Sequence, residues 1–179
     1  MVRVNNLDTD AAIATLLKSV PEPSLGLPDN VFYYISSTTP LVNVDLLIKD
    51  ETGRTLLAWR DDPHAGTGWH IPGGIVRFKE SFETRVKKVA ELEIGADVLF
   101  DPAPIAINQI ILPERTIRAH FISLLFNCFL PSTFIPRNEG LSVGDVGYLA
   151  WHARCPQDLL SVQAIYRKYI ENASKVPAS

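Results

Sequence analysis

A helix with a carboxylate in its apolar stripe constrains this chain more than any other sequence feature. The spacing of apolar residues predicts a helix from Ser81 to Glu93. At about 100° per residue, Phe82, Val86 and Val89 share one narrow face. Glu93 falls in the middle of that face one turn later. A buried carboxylate is costly unless it is paired or holds a metal ion, so this position indicates a nearby cation; the alternative is a helix that frays before Glu93 and exposes it to water.

A glycine turn leads into this helix. Pro72-Gly73-Gly74 exposes backbone groups that can approach a ligand without obstruction by side chains. A glycine carbonyl and a carboxylate together suit a cation that prefers oxygen, such as Mg²⁺, and a helix N-terminus favours phosphate. Gly95 closes the helix, whereas Glu91 points to the opposite side and is predicted to be a solvated charge.

The rest of the chain predicts an α+β fold, in which a mixed sheet carries helices on its faces. Apolar runs and the turn residues between them predict the individual elements. Leu41 to Ile48 and Thr55 to Arg60 form a predicted hairpin, because the residues between them are typical of a turn. The other predicted elements are a helix over Thr9–Val20, strands over Ile105–Leu112, Thr116–Leu130 and Tyr148–His152, and a last helix opened by Pro156.

Length and composition are those of one ordinary globular domain. The chain has 179 residues, of which 46% are hydrophobic and 21% charged. We expect a helical arm over 1–26, the domain over 27–172 and a frayed tail over 173–179. A formal charge of −3 argues against nucleic-acid binding. Two cysteines, no apolar leader and no apolar run of membrane length predict a cytoplasmic protein that does not enter a membrane.

The residues around the helix resemble a known motif. Gly74-x5-Glu80-x7-Lys88, followed by Glu93-x-Gly95, resembles the Nudix box, G-x5-E-x7-R-E-U-x-E-E-x-G-U, with its spacing kept throughout. The resemblance implies the Nudix fold, an α/β/α sandwich with a mixed β-sheet between helices. It also implies a hydrolase that acts on a nucleoside diphosphate linked to another group.

Three positions depart from the box and point to one branch of the family. The box arginine is Lys88, and two of its glutamates are replaced by Val89 and Leu92. An ordinary Nudix hydrolase uses those glutamates to bind several metal ions. The GDP-mannose mannosyl hydrolases likewise retain only the last glutamate. This chain resembles that branch from about residue 27 to residue 151, and the matching segments are Pro40–Asp45, Leu56–Arg60 and Gly68–Gly74.

This resemblance implies a single Mg²⁺ (or Mn²⁺) ion that bridges the pyrophosphate of the substrate. By position, its protein ligands are Gly73, Glu93 and Asp145, the last of which stands six residues before Trp151. The branch usually has glutamine at the third position, and aspartate is at least as good a ligand for Mg²⁺. The alternative is that Asp145 is a plain turn residue between two glycines.

Asp45 and Arg60 match two further functional positions of the branch and are predicted to be catalytic. The resemblance implies that Asp45 lies near the sugar and that Arg60 binds and stabilises the departing diphosphate. The alternatives are an Asp45 that faces solvent, alternating with Asn43, and an Arg60 that forms a surface ion pair beside Asp61-Asp62.

Two departures concern the base and the phosphate contacts. The branch has a histidine directly after the third metal ligand, where this chain has Val146. It also has an arginine after the paired glycines, where this chain has Ile75. Arg77, two residues further on, is therefore the expected substrate contact.

Attack on a sugar carbon needs a base that activates water, and the sequence leaves its identity open. His120 matches a histidine of the branch at the start of a strand, and it is the histidine we predict to be catalytic. His64 lies in a loop that could close over substrate and is predicted to bind it. The full set of candidate bases is Asp45, Asp145, His64, His70, His120 and His152.

Three functions are consistent with these residues. The leading hypothesis is a Mg²⁺-dependent hydrolase that attacks the sugar carbon of a nucleoside-diphosphate sugar resembling GDP-mannose, releasing free sugar and nucleoside diphosphate. The second is a pyrophosphohydrolase of ADP-ribose or nucleotide sugars that attacks phosphorus, which generally needs more metal charge. The third is a nucleotide-binding module that has lost catalysis.

The N-terminal arm predicts a homodimer. Its apolar face and the aromatic residues Phe32, Tyr33 and Tyr34 form a surface that a second subunit could cover, and the resembling branch is dimeric. The alternative is that the arm packs on its own sheet.

Overall fold

A mixed β-sheet forms the centre of the fold, as seen in a computed structural model that describes residues 6–63 and 66–172. Within these ranges the strands are β1 (Leu41–Lys49), β2 (Thr55–Asp62), β3 (Gly66–His70), β4 (Gly73–Ile75), β5 (Leu99–Phe100), β6 (Ala106–Ile111), β7 (His120–Phe129) and β8 (Leu149–His152). The α-helices there are α1 (Asn6–Ser19), α2 (Asp29–Thr38), α3 (Phe82–Val89) and α4 (Arg167–Glu171). A π-helical turn (Ala90–Ile94) continues α3, and 3-10 turns lie at Pro23–Leu25 and Ser161–Tyr166.

Two long parallel strands, β1 and β7, form the middle of the sheet. Nine residue pairs join them, from Leu41 opposite Phe121 to Lys49 opposite Phe129. β2 and β3 extend the sheet beyond β1, whereas β5 and β6 pair antiparallel with β7. β4 pairs antiparallel with the first half of β1, and β8 pairs antiparallel with β2. The nearly continuous apolar run of β1 is typical of a strand covered on both faces.

Apolar side chains pack on both faces of this sheet and make three layers. On one face, Val86 and Val89 of α3 pack into a cluster that includes Val44 and Leu46 of β1. On the other face, Tyr166 and its neighbours near the C-terminus cover the second cluster. The structure therefore confirms the predicted α+β fold with a mixed sheet between helices.

The helix after the glycine turn begins and ends where the sequence predicts. Ser81 Oγ accepts a hydrogen bond from the Thr84 amide at 3.1 Å and so caps the N-terminus of α3. Gly95 ends the helical segment with a φ of 71°, a conformation that favours glycine. Its amide donates to the carbonyl of Ala90 at 3.0 Å, five residues back, so the last turn is π-helical. Glu93 lies in that turn.

The prediction for the last helix was wrong in its start. The sequence places it at Pro156, but regular helical structure begins only with the 3-10 turn at Ser161. The reason is that Leu159 forms a parallel bridge with Trp69 of β3. The Leu160 amide also donates to the Trp69 carbonyl at 2.9 Å. The segment after Pro156 is therefore an extended neighbour of the sheet rather than helix.

Two further boundaries differ from the predictions. β7 begins at His120 instead of Thr116, because Arg118 has a φ of 51°, which an extended strand cannot contain. The sequence analysis also missed α2, a helix of β-branched, aromatic and polar residues with low helix propensity. Ser36 of α2 is buried, and its Oγ accepts a hydrogen bond from the Arg118 amide at 3.2 Å. Tertiary contacts of this kind override the weak local preference.

The N-terminal helix leaves its apolar side chains open to solvent. Every side chain from Asp8 to Ser19 is exposed, including Ile13, Leu16 and Leu17. The alternative in which the arm packs on its own sheet is therefore not realised in the part of the chain that the structure describes. None of the helices described there has the length and hydrophobicity needed to cross a bilayer.

The two positions at which this chain lacks a box glutamate lie in different environments, which allows a matched test. Val89 is 3% exposed and belongs to the core, whereas Leu92 is 77% exposed. In metal-free buffer, Val89→Glu should lower the free energy of unfolding by at least about 3 kcal/mol, because an unpaired carboxylate is buried. Leu92→Glu should change it by less than about 0.5 kcal/mol. Urea unfolding of both variants measures the difference, and equal effects would contradict the packing of α3.

Candidate functional site

A cleft of about 670 Å³ opens where the π-helical turn meets β2 and the end of β3. It combines a glycine of the turn with three carboxylates (Glu93, Asp61 and Asp62), a histidine and two arginines. The lining residues that matter for its chemistry are Gly73, Glu93, His70, Arg60, Arg137 and Val146. Two of the three predicted metal ligands, Gly73 and Glu93, therefore share one cleft.

The Glu93 carboxylate faces His70 across this cleft. Glu93 Oε2 lies 3.5 Å from His70 Nε2, and the two side chains are 32% and 8% exposed. Within the described ranges, His70 is the only basic group within 4 Å of that carboxylate. Glu91, by contrast, is exposed, as predicted. The π-helical turn widens the helix at this point, so Glu93 leaves the core stripe and enters the cleft.

Gly73 is held against Asp45 by the pairing of β4 with β1. The two residues are direct partners in the antiparallel register. A Cβ at position 73 would lie 2.2 Å from Asp45 Oδ1 and 2.9 Å from the Val44 carbonyl oxygen, so only glycine fits without rearrangement. This close approach positions the turn between His70 and α3 beside a buried carboxylate.

Asp45 is a buried carboxylate with two hydroxyl partners. Its side chain is 5% exposed, so the alternative in which it faces solvent is wrong. Asp45 Oδ2 accepts hydrogen bonds from Ser123 Oγ at 2.5 Å and from the Tyr166 hydroxyl at 2.7 Å. Burial raises the pKa of Asp45, the two hydrogen bonds oppose that rise, and the charge of Glu93 adds to it. Burial likewise raises the pKa of Tyr166.

Arg60 connects the cleft to Asp45. Arg60 lines both the main cleft and a smaller cavity of about 100 Å³ that also contains Asp45. Its Nη2 donates to Asp62 Oδ2 at 2.7 Å, so an ion pair of the kind considered as an alternative is present. The guanidinium remains 39% exposed. Arg60 therefore has donors available to a ligand in the cleft as well as a carboxylate partner that orients it.

Asp145 lies in a tight turn next to the cleft. Its carboxylate accepts a hydrogen bond from the Ser142 amide at 2.6 Å, and its own amide donates to the Ser142 carbonyl at 3.0 Å. Val146 and Gly147 line the cleft, whereas Asp145 is not among the lining residues. The geometry accounts for Asp145 as a turn residue, and its role as a metal ligand stays a prediction.

Two other predicted site residues, Arg77 and His120, are not brought to the cleft. The Arg77 guanidinium packs against Gly26, where it lines a separate cavity near α2. His120 Nε2 lies 3.0 Å from Gln109 Nε2 on the β6–β7 pair. His64 lies outside the described residues.

The structure adds two features that the sequence analysis did not predict, the orientation of His70 and the ion pairs of Glu80. His70 was one of six candidate bases, and its orientation follows only from the β2–β3 register, in which it pairs with Ala58. Glu80 of the box is the second feature: its buried carboxylate accepts hydrogen bonds from Arg85 Nε at 2.7 Å and Lys88 Nζ at 3.1 Å. Burial acts to raise the pKa of Glu80, but the Arg77 amide and these two cations lower it below its usual value. Lys88 thus serves as an ion-pair partner inside the motif.

The donor atoms in the cleft fit a metal ion only in part. No group of three or more His, Cys, Asp or Glu side chains suited to a metal ion occurs in the described ranges. However, Glu93 is a half-buried carboxylate without a lysine or arginine partner there, and such a carboxylate is favourable for binding a cation. A metal ion here would need backbone or substrate oxygens to complete its coordination.

Comparison with known proteins gives partial sequence similarity to a curated protein. No family model matches the chain. Low-salt glycan biosynthesis protein Agl8 of Haloferax volcanii is 36% identical over 80 residues, which are 45% of this chain and 51% of that protein. The chain therefore matches about half the length of this curated relative.

Solved structures show the fold. A possible asymmetric diadenosine tetraphosphate hydrolase of Jonesia denitrificans superimposes with a TM-score of 0.58 at 18% identity, covering 79% of this chain and 99% of its own. A MutT NUDIX hydrolase of Burkholderia pseudomallei gives 0.56 at 23% identity, covering 73% and 97%. A UDP-X diphosphatase gives 0.53 at 17% identity, covering 96% and 82%. The chain has the Nudix fold.

Asp45 and Asp50 should affect stability in opposite directions. The pKa of Asp45 is raised from 3.8, so above about pH 4 the unfolded chain loses this proton more readily than the folded chain, and folding is penalised. In metal-free buffer, Asp45→Asn should therefore gain stability relative to the wild type as pH rises from 4 to 7.

The matched control is Asp50→Asn. Burial acts to raise the pKa of Asp50, but hydrogen bonds from Thr52 and Arg54 lower it below 3.8. Asp50 therefore stabilises the fold above that pH, and its replacement should cost about 1–3 kcal/mol at pH 7 and less in acid. Urea unfolding across this range tests both signs. A wild-type advantage over Asp45→Asn that grows with pH would contradict the burial of Asp45.

Proposed function

We propose that this protein is a metal-dependent hydrolase of nucleoside-diphosphate sugars that attacks the sugar carbon and releases free sugar and nucleoside diphosphate. The observation that carries this proposal is the shared cleft of Gly73, Glu93 and Arg60, with Asp45 behind the glycine. A carboxylate binds the metal ion of a metal–diphosphate complex, and an arginine binds its phosphate oxygens.

The loss of two box glutamates supports attack at carbon rather than at phosphorus. Val89 is buried in the core and Leu92 is apolar, so Glu93 is the one box glutamate that lines the cleft within the described ranges. Attack on phosphorus builds charge on the phosphoryl oxygens and benefits from several metal ions. Attack on carbon requires a base that activates water and neutralisation of the leaving diphosphate, for which fewer metal ligands suffice.

The residues in and beside the cleft have different roles in the proposed reaction. When bound, a divalent ion such as Mg²⁺ or Mn²⁺ neutralises the diphosphate, and Glu93 and the Gly73 carbonyl would hold it. Arg60 binds the diphosphate as it departs, because a guanidinium pairs with phosphate oxygens in bidentate fashion. Asp45 is a buried carboxylate that lies directly against Gly73, and we assign it the role of accepting the proton of the attacking water.

The partial relative supports a nucleotide-sugar substrate. Agl8 is named a glycan biosynthesis protein, and glycan assembly draws on sugars activated as nucleotides. The main alternative is attack on phosphorus, giving nucleoside monophosphate and sugar phosphate. It is favoured by the UDP-X diphosphatase, whose superposition covers 96% of this chain.

A product analysis with matched variants tests the function. The protein is incubated with Mg²⁺ or Mn²⁺ and GDP-mannose, UDP-glucose or ADP-ribose, and the products are separated by ion-exchange chromatography. We expect nucleoside diphosphate and free sugar from at least one substrate. Glu93→Gln should lower the rate by about 100-fold or more, because the diphosphate loses its neutralising ion.

The control is Glu91→Gln, which removes the same charge from an exposed position two residues away and should change the rate by less than about twofold. Nucleoside monophosphate with sugar phosphate would establish attack at phosphorus instead. Binding by calorimetry without any product would make the protein a nucleotide-binding module.

The homodimer is a separate proposal that the exposed face of α1 supports. Leu16 and Leu17 are 40% and 69% exposed, and burying such side chains between subunits would stabilise a dimer. We expect light scattering to report a dimer for the full chain and a monomer for a variant that starts at Leu27. A dimer of unchanged mass after truncation would exclude the arm as the interface.

A further inference from the structure

We propose that His70 is a ligand of the metal ion in the cleft, and that its nitrogen makes the site prefer Mn²⁺ and similar transition metals to Mg²⁺. This inference deepens the proposed function, since it assumes the same ion beside Glu93. The Nudix box does not predict this ligand, because His70 precedes the glycine turn and lies outside the box.

The first argument is the orientation of the imidazole ring. His70 Nδ1 lies 2.8 Å from the carbonyl oxygen of Ala58, and both atoms are buried between β2 and β3. A carbonyl oxygen only accepts hydrogen bonds, so Nδ1 carries the proton. In the neutral ring, Nε2 then holds the free lone pair, and it is Nε2 that faces the cleft. Histidine ligands are commonly oriented by such a bond from their other nitrogen.

The second argument is the gap between His70 and Glu93. Nε2 and Oε2 are 3.5 Å apart, which is longer than a hydrogen bond between nitrogen and oxygen. In the neutral ring, two lone pairs therefore face each other across a half-buried space. Two ligands of one ion, each about 2.1 Å from it, lie about 3.0–3.4 Å apart, so a shared ion would require these two atoms to move only slightly closer.

The third argument is the surroundings of the pair. His70, Glu93 and Gly73 line one cleft, and the glycine backbone lies directly against Asp45. The His70 side chain is 8% exposed, and its position is held by the register of two strands. A nitrogen donor held this rigidly meets the geometric demand of a metal ligand.

The chemical consequence concerns the choice of metal. Mg²⁺ takes oxygen ligands almost without exception, whereas imidazole suits Mn²⁺, Co²⁺ and Zn²⁺ increasingly well. A site with one carboxylate and one imidazole should therefore bind Mn²⁺ more tightly than Mg²⁺. Replacement of the imidazole should remove that preference and leave the weaker oxygen-based affinity.

Pulsed electron paramagnetic resonance of the Mn²⁺-loaded full chain tests this directly, without substrate and in a buffer free of nitrogen ligands. Nitrogen directly bound to Mn²⁺ modulates the electron spin echo. We expect this modulation in the wild type and its loss in His70→Gln. The Kd for Mn²⁺, from the signal of the free ion, should rise about tenfold or more in that variant, while the Kd for Mg²⁺ in competition should change less.

The matched control is His152→Gln. His152 is half-buried on β8, its ring lies 4.4 Å from that of Trp69, and it does not line the cleft. Its replacement should leave the nitrogen modulation and the Mn²⁺ affinity unchanged. Circular dichroism verifies that each variant is folded, and the wild-type spectrum is informative even if a variant is not.

Three outcomes would overturn the inference. They are Mn²⁺ bound to the wild type without nitrogen modulation, modulation that persists in folded His70→Gln, and absence of Mn²⁺ binding. The proposed function is judged separately by its products. Hydrolysis with an all-oxygen Mn²⁺ site would refute the role of His70 alone, whereas nitrogen-ligated Mn²⁺ without any hydrolysis would refute the function alone.

Discussion

The close approach of β4 to β1 determines the geometry of the candidate site. Gly73 lies opposite Asp45, and a single added carbon at position 73 would lie 2.2 Å from the Asp45 carboxylate. The turn after β3 closes at this contact, and the His70 and Glu93 side chains, 3.5 Å apart, line the same cleft as Gly73. The contact also places a buried carboxylate directly behind the cleft. Catalytic sites need such rigid support, because a displacement of about 1 Å can cost much of the rate.

The electrostatics of the cleft follow from this packing. Within the described ranges, the cleft is lined by carboxylates from β2 (Asp61 and Asp62) and from the π-helical turn (Glu93), and by arginines from β2 and from the loop that carries Arg137. Burial and the charge of Glu93 both disfavour the ionised form of Asp45, whereas two hydroxyl groups favour it. A cation in the cleft would relieve the repulsion between the carboxylates. The carboxylates of Asp45 and Glu93, whose repulsion disfavours folding, thus make the site suited to a metal–diphosphate complex.

The sequence predicted the fold well because periodicity and spacing are local signals. The α3 helix closed by Gly95, the β1–β2 hairpin and the long central strands were all predicted from patterns of apolar residues and the turn residues between them. The elements that were missed or misplaced depend on tertiary contacts: α2 is anchored to Arg118, and the segment after Pro156 pairs with Trp69. In the site, the motif led to Gly73 and Glu93, but not to His70, whose direction depends on a strand register. His120 shows that a matching position in a sequence does not ensure a place in the cleft, and Arg77, which is offset from the family position, also lies elsewhere.

The central claim is that water attacks the sugar carbon of the substrate while the cleft holds the diphosphate. Product identity alone does not establish this, since free sugar and nucleoside diphosphate also result from attack on the outer phosphorus. Hydrolysis in ¹⁸O-labelled water, followed by mass spectrometry of both products, distinguishes the two bonds. The account predicts the label in the free sugar and none in the nucleoside diphosphate. Label in the nucleoside diphosphate would place the attack on phosphorus and contradict it.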